Sequence, residues 1–71
     1  MIEVGQGWED SHGFIHEVLY VGQNVLTIMV LHRILYKNIS DSGMGFWEMT
    51  PVNEFIEDYA LKYDKNGEPL K

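Results

Sequence analysis

The chain has 71 residues, no cysteine and a net charge of −6, with 11 acidic residues against 5 basic ones. A domain of this size buries only about 60% of its unfolded surface, and the missing thiols exclude disulfides, thiol catalysis and cysteine-based zinc sites and fit a reducing compartment. The acidic balance repels phosphate backbones and argues against nucleic acid as a direct partner.

The opening Met1-Ile2-Glu3-Val4-Gly5 carries neither a basic n-region nor an apolar h-region. The expectation is a cytoplasmic protein. Residues 1–64 are expected to form a single small domain and residues 65–71 a flexible C-terminal tail.

Met1 to Val4 reads as a short edge strand. Gly5-Gln6-Gly7-Trp8-Glu9-Asp10 follows, and its one large apolar group, Trp8, is expected to fold back over one end of the core. Ser11-His12-Gly13 is a turn. Phe14 to Val21 reads as the second strand, with Phe14, His16, Val18 and Tyr20 on one face and Ile15, Glu17, Leu19 and Val21 on the other. Gly22-Gln23-Asn24 then makes a hairpin connection, so the next strand pairs antiparallel.

Val25 to Tyr36 is the longest apolar run and contains no Gly or Pro. Its β-branched content and turn-rich flanks favour a central strand, bent or bulged near His32, over a buried helix. His32 and Arg33 interrupt it, and it falls short of the roughly 20 apolar residues a membrane span needs. Only Thr27, His32 and Arg33 are offered to an outward face, so the second face is expected to be covered.

Residues 37–45 form a polar loop. Phe46-Trp47-Glu48-Met49 is a short strand, with Trp47 and Met49 on one face. Thr50 suits an N-cap and Pro51 a first helical position. A helix over 51–63 carries Val52, Phe55, Ile56, Tyr59, Ala60 and Tyr63 as its apolar stripe, with Glu54, Glu57 and Asp58 opposite. Asp58 is placed to pair with Lys62. The order is β-β-β-β-α. It predicts a mainly β domain with one C-terminal helix, a small partly open barrel or strongly bent antiparallel sheet capped by helix 51–63.

The run Phe46-Trp47-Glu48-Met49-Thr50-Pro51-Val52-Asn53-Glu54-Phe55-Ile56, with Glu17-Val18-Leu19 and Arg33-Ile34-Leu35-Tyr36 before it, resembles a family of small bacterial and phage domains. Those domains look like SH3-like barrels and share a W-x-x-x-P-x-x-x-F strand-to-helix junction. The match runs from Gly13 to Tyr59. It departs from the pattern in a longer Gly43-Met44-Gly45 loop, a longer helix and Thr50 before the proline. The resemblance implies an SH3-like fold and a phage or prophage setting, and no enzymatic activity.

His12, His16 and His32 have no ligand spacing with Asp10 or Glu17, although His16 and His32 could meet across paired strands. Asp10, Ser11 and His12 are adjacent in sequence, which is not triad geometry. Glu9-Asp10 and Glu57-Asp58 read as solvated carboxylates. Gly5-x-Gly7 and Gly43-x-Gly45 lack a phosphate-loop fingerprint. No catalytic, cofactor or metal residue is therefore named. The aromatics are better candidates, because Trp and Tyr anchor interfaces.

The expectation is a non-enzymatic protein-interaction module, phage-encoded, that modulates or inhibits a host enzyme or defence protein. Contact would run through Trp8, Tyr20, Tyr36 and Trp47 and the acidic Glu54, Glu57 and Asp58, with self-association through the 14–36 hairpin as an option. Two alternatives stand beside it. One is an acidic DNA mimic that inhibits a DNA-binding protein. The other is a nucleic-acid-binding SH3-like module stacking bases on Tyr20, Tyr36 and Trp47.

Overall fold

Period-two alternation builds most of the molecule. The computed structural model describes residues 2–70 and contains β1 (Gly7–Glu9), β2 (Ile15–Gln23), β3 (Ile28–Ile34), β4 (Trp47–Pro51), α1 (Val52–Asp58) and β5 (Ala60–Tyr63). The strands form one antiparallel sheet in the order β4-β3-β2-β1-β5. Its two ends, β4 and β5, do not pair, so the sheet stays open. This is the expected mainly β fold, an unclosed sheet with one helix on it. The Cα radius of gyration is 11.2 Å, against about 11 Å for a compact chain of this length. Among the described residues, no helix is long and apolar enough to cross a membrane.

The core lies between the sheet and α1. Ile2, Trp8, Val18, Val30 and Phe55 are buried there, with Val21, Val52, Tyr59 and Leu61 packed around them. The opposite face has a smaller buried cluster at one end. A Cβ on Gly7 would lie within about 3 Å of Ile39, Tyr63 and Ile15, so only a hydrogen fits where the 35–45 loop folds down.

The central strand is shorter than expected. Asn24 donates its N–H to the Thr27 carbonyl at 2.7 Å, which closes a turn and throws Val25 and Leu26 to the hairpin tip, 86% and 92% exposed. At the other end the strand stops at Ile34, and Leu35 still donates to the Ile15 carbonyl at 2.6 Å and is fully buried.

The expected bulge near His32 exists, but the extra residue is on the partner strand. Val18 sits opposite His32 and Tyr20 opposite Leu31, so Leu19 is the bulged residue. The bulge corrects the expected faces of β2. His16 and Val18 point to the core; after the slip it is Val21 that points inward and Tyr20 outward. His32 also faces inward, not outward as expected, and is 0% exposed.

The helix is corrected too. It spans Val52–Asp58 rather than 51–63. Pro51 is the N-cap, with no side-chain cap bond. Thr50 and Pro51 belong to β4, and the Thr50 hydroxyl is used by His32 instead. Helix α1 ends because Tyr59 is extended (φ −125°, ψ 153°) and its ring stacks on Phe55 at 4.3 Å. Residues 60–63 then pair with β1 as a fifth strand. Lys62 reaches Glu9 at 3.6 Å rather than Asp58. Beyond it, Asp64 caps a turn through the N–H groups of Asn66 and Glu68, and the Leu70 N–H bonds the Lys62 carbonyl.

No strand forms over residues 2–4, and Met1 lies outside the described residues. Ile2 is a core residue and Val4-Gly5 a turn.

Candidate functional site

Two features stand apart from ordinary packing. The first is a chain of polar groups threaded through the core. Asp10 begins it, at the end of β1. One of its oxygens accepts the backbone N–H groups of His12 and Phe14 at 2.8 and 3.0 Å, which locks the turn. The other lies 2.8 Å from His16 Nε2. His16 Nδ1 lies 3.0 Å from His32 Nδ1, and His32 Nε2 lies 2.8 Å from the Thr50 Oγ1. The sequence Asp10–His16–His32–Thr50 therefore bridges β1, β2, β3 and β4.

The proton positions follow from what each end allows. Burial raises the Asp10 carboxyl, but the bonds from His16 and from the Phe14 and His12 amides outweigh it and hold its pKa below the ordinary 3.8. A carboxylate only accepts, so His16 Nε2 carries a hydrogen. With both imidazoles neutral, His16 Nδ1 accepts from His32 Nδ1–H and His32 Nε2 accepts from the Thr50 hydroxyl. All four groups are then satisfied. Burial, aided by the neighbouring His16, lowers the His32 pKa from 6.5 to about 4.

Aromatic rings enclose the pair. Tyr59 meets His16 edge-on at 4.8 Å and His32 at 5.5 Å, and Phe55 lies 4.8 Å from His32. Burial, then the carboxylates of Glu48, Asp10 and Asp58, raise the Tyr59 phenol to about 12. A cleft of about 110 Å³ between Ile34, Phe46 and Glu48 borders both imidazoles, of which His32 has no exposed surface and His16 very little. Ligand pockets usually measure 300 Å³ or more, so this one suits water or an ion rather than a metabolite.

The second feature is the outer face of β2, β3 and β4. Glu17, Arg33 and Trp47 form one cross-strand row; Tyr20, Leu31 and Met49 form the next; Gly22, Met29 and Pro51 form a third. Tyr20, Trp47 and Met49 are 61%, 67% and 52% exposed. The Tyr20 ring lies over Gly22, where any Cβ would strike it. Arg33 binds Glu17 at 2.8 Å and is the only charged pair in these rows. Strand β4 leaves one edge unpaired beside Trp47 and Met49.

The seven residues singled out in the sequence do not converge. Tyr20 and Trp47 share the outer face. Tyr36 is exposed at the far end of the hairpin, tilted against Phe14 at 5.9 Å with the Lys37 ammonium over Phe14. Glu54, Glu57 and Asp58 are exposed on α1, across the sheet. Trp8 is buried, donates to the Gln6 side chain at 3.0 Å and packs edge-on against Phe55.

The His16–His32 meeting was legible as an option, while Asp10 and Thr50 as its ends were not. Met49 and Leu31, which share the outer-face row with Tyr20, were not singled out, although Met49 shares the Trp47 alternation. Compared with family models, with curated proteins and with solved structures, the chain matches none of them.

Proposed function

We propose that the chain is a non-enzymatic protein-interaction module that docks another protein on the outer face of β2–β3–β4. One observation carries the reading. Tyr20, Trp47 and Met49 stand more than half exposed in adjacent rows next to an unpaired strand edge. Contiguous exposed apolar surface marks interaction sites, and a free edge accepts a further strand by main-chain bonding. The partner is a host protein, in the phage setting that the resemblance implies, and the effect on it is modulation or inhibition.

The carboxylates favour this over mimicry of DNA. Glu3, Glu9 and Glu17 are paired with Lys65, Lys62 and Arg33, and Asp41 and Asp64 cap turns. Those five have partners within the chain rather than forming an array.

The test is paired capture and sizing. Trp47→Glu combined with Met49→Glu is compared with wild type and with Glu54→Lys on the helix. The expected result is a partner from host lysate that the face variant loses and the helix variant keeps. Capture unchanged in the face variant would refute the docking surface. Light scattering of the purified chain separates the other occupant: a wild-type dimer that the face variant converts to monomer assigns the face to a second copy and overturns the host-partner reading.

A further inference from the structure

We propose that His16 and His32 together hold one borderline divalent transition-metal cation of the zinc class, with Glu48 as third ligand and water completing the shell. The two Nδ1 atoms face each other 3.0 Å apart. Two imidazole nitrogens on one tetrahedral zinc, at Zn–N of about 2.0 Å, lie about 3.3 Å apart. The distance is therefore close to a chelating one, and the two rings must also turn so that their Nδ1 lone pairs converge on the cation rather than on each other.

The outer nitrogens are already placed as they are around bound metal. Ligating histidines hold their other ring nitrogen on a carboxylate, a carbonyl or another oxygen, which fixes ring orientation. Here Asp10 holds His16 Nε2 and Thr50 holds His32 Nε2, both at 2.8 Å. On binding, the His32 proton moves from Nδ1 to Nε2 and the Thr50 hydroxyl turns from donor to acceptor. No proton needs to leave the imidazoles.

Glu48 supplies the third donor. It sits directly opposite His32 in the β3–β4 register, and it lines the same cleft as both rings. Among the described residues it has no hydrogen-bond or ion-pair partner. Its negative charge already acts on Tyr59, the ring packed against both histidines. No three His, Cys, Asp or Glu side chains among the described residues form a ready shell, so closure takes a rotation of the exposed Glu48. The cation would join β2, β3 and β4 at their centre, a cross-link of the kind small domains without disulfides use.

The test uses the full chain. Zn2+ is titrated by calorimetry, and Co2+ by visible absorption, into wild type, Glu48→Gln and His12→Ala. Glu48 is exposed, so Glu48→Gln leaves the fold intact. Expected are one cation per chain, a tetrahedral cobalt spectrum, and metal-induced shifts at Nδ1 of both His16 and His32 by NMR. Glu48→Gln should lose at least about tenfold in affinity, and His12→Ala should lose nothing. At a hundredfold excess over Kd, Zn2+ should raise the thermal midpoint by about 10–20 °C. No binding, an octahedral cobalt spectrum, or binding that disappears in His12→Ala would overturn the site. Unchanged affinity in Glu48→Gln would overturn the ligand set.

Discussion

Acidification should unfold this protein earlier than its carboxylates alone would. His32 is completely enclosed, and burial with the adjacent His16 lowers its pKa from 6.5 to about 4. In the unfolded chain the imidazole takes its proton near pH 6.5. In the folded chain it does so only near pH 4. Between those values the unfolded state binds more protons, so stability falls as the pH falls. The contribution is intact above about pH 6.5 and is spent by about pH 4. That interval, at about 1.4 kcal/mol per pH unit, amounts to about 3 kcal/mol. A chain of this length has a total stability of roughly 4–10 kcal/mol, so the loss is a large fraction of the whole. Asp10 adds a separate loss at lower pH, because its pKa lies below 3.8. The assay is urea unfolding at intervals from about pH 7.5 to 3.5, with chelator present, for wild type and His32→Gln. NMR of the His32 ring in the folded protein gives a second readout that needs no variant. Refutation would be a stability curve flat between pH 6.5 and 4, an equal slope in His32→Gln, or a His32 ring that titrates near 6.5.

The remaining predictions concern packing and backbone. Gly5 has φ +98°, and a Cβ there would lie 2.5 Å from the Lys65 carbonyl oxygen; Gly45 has φ +82° with nothing within 4 Å. Thermal melts should therefore show Gly5→Ala costing more than about 2 kcal/mol and Gly45→Ala only about 1 kcal/mol. Phe55 is fully buried against Trp8, His32 and Tyr59. Phe55→Ala should lose about 3–5 kcal/mol, read as a collapsed urea midpoint by circular dichroism. Glu17→Gln should cost under about 1 kcal/mol, shrinking in high salt, because the Glu17–Arg33 pair is partly solvent-exposed.

The fold class was legible because strands β2, β3 and β4 announce themselves by composition and by the turns between them. Residues 59–63 misled for a definite reason. Tyr59, Ala60 and Tyr63 extend the helical stripe begun by Val52, Phe55 and Ile56, yet Tyr59, Leu61 and Tyr63 also alternate with Ala60 and Lys62. Both periods fit five residues, and pairing with β1 decided between them. Strand β1 was invisible because Gly7-Trp8-Glu9 is too short to carry a pattern; it exists only because β2 and β5 flank it. A bulge near His32 was expected, but its place on the partner strand at Leu19 was hidden, since no residue type marks it. The bulge separates Tyr20 from the face of His16 and Val18 and turns it outward.

The same bulge and the histidine chain explain each other. Without the extra residue at Leu19, strict alternation would carry Tyr20 inward beside Val18 and turn Val21 outward. Beyond that point β2 and β3 could slide past one another at little cost, since both faces of each strand are largely apolar. The Asp10–His16–His32–Thr50 chain removes that freedom. A one-residue slip turns His32 to the outer face, separates it from His16 and Thr50, and leaves two or more buried polar atoms without partners, each costing about 1–3 kcal/mol. All buried side-chain polar atoms of the described residues are satisfied in the register observed. Apolar area alone does not distinguish the two registers; the polar chain does, together with the Glu17–Arg33 pair, whose arginine the slip would turn inward. An apolar replacement of both histidines is thus expected to keep the collapse and lose the single register. NMR line shapes of such a double variant would report that loss as multiple exchanging β2–β3 cross peaks, and a single sharp set would defeat the argument.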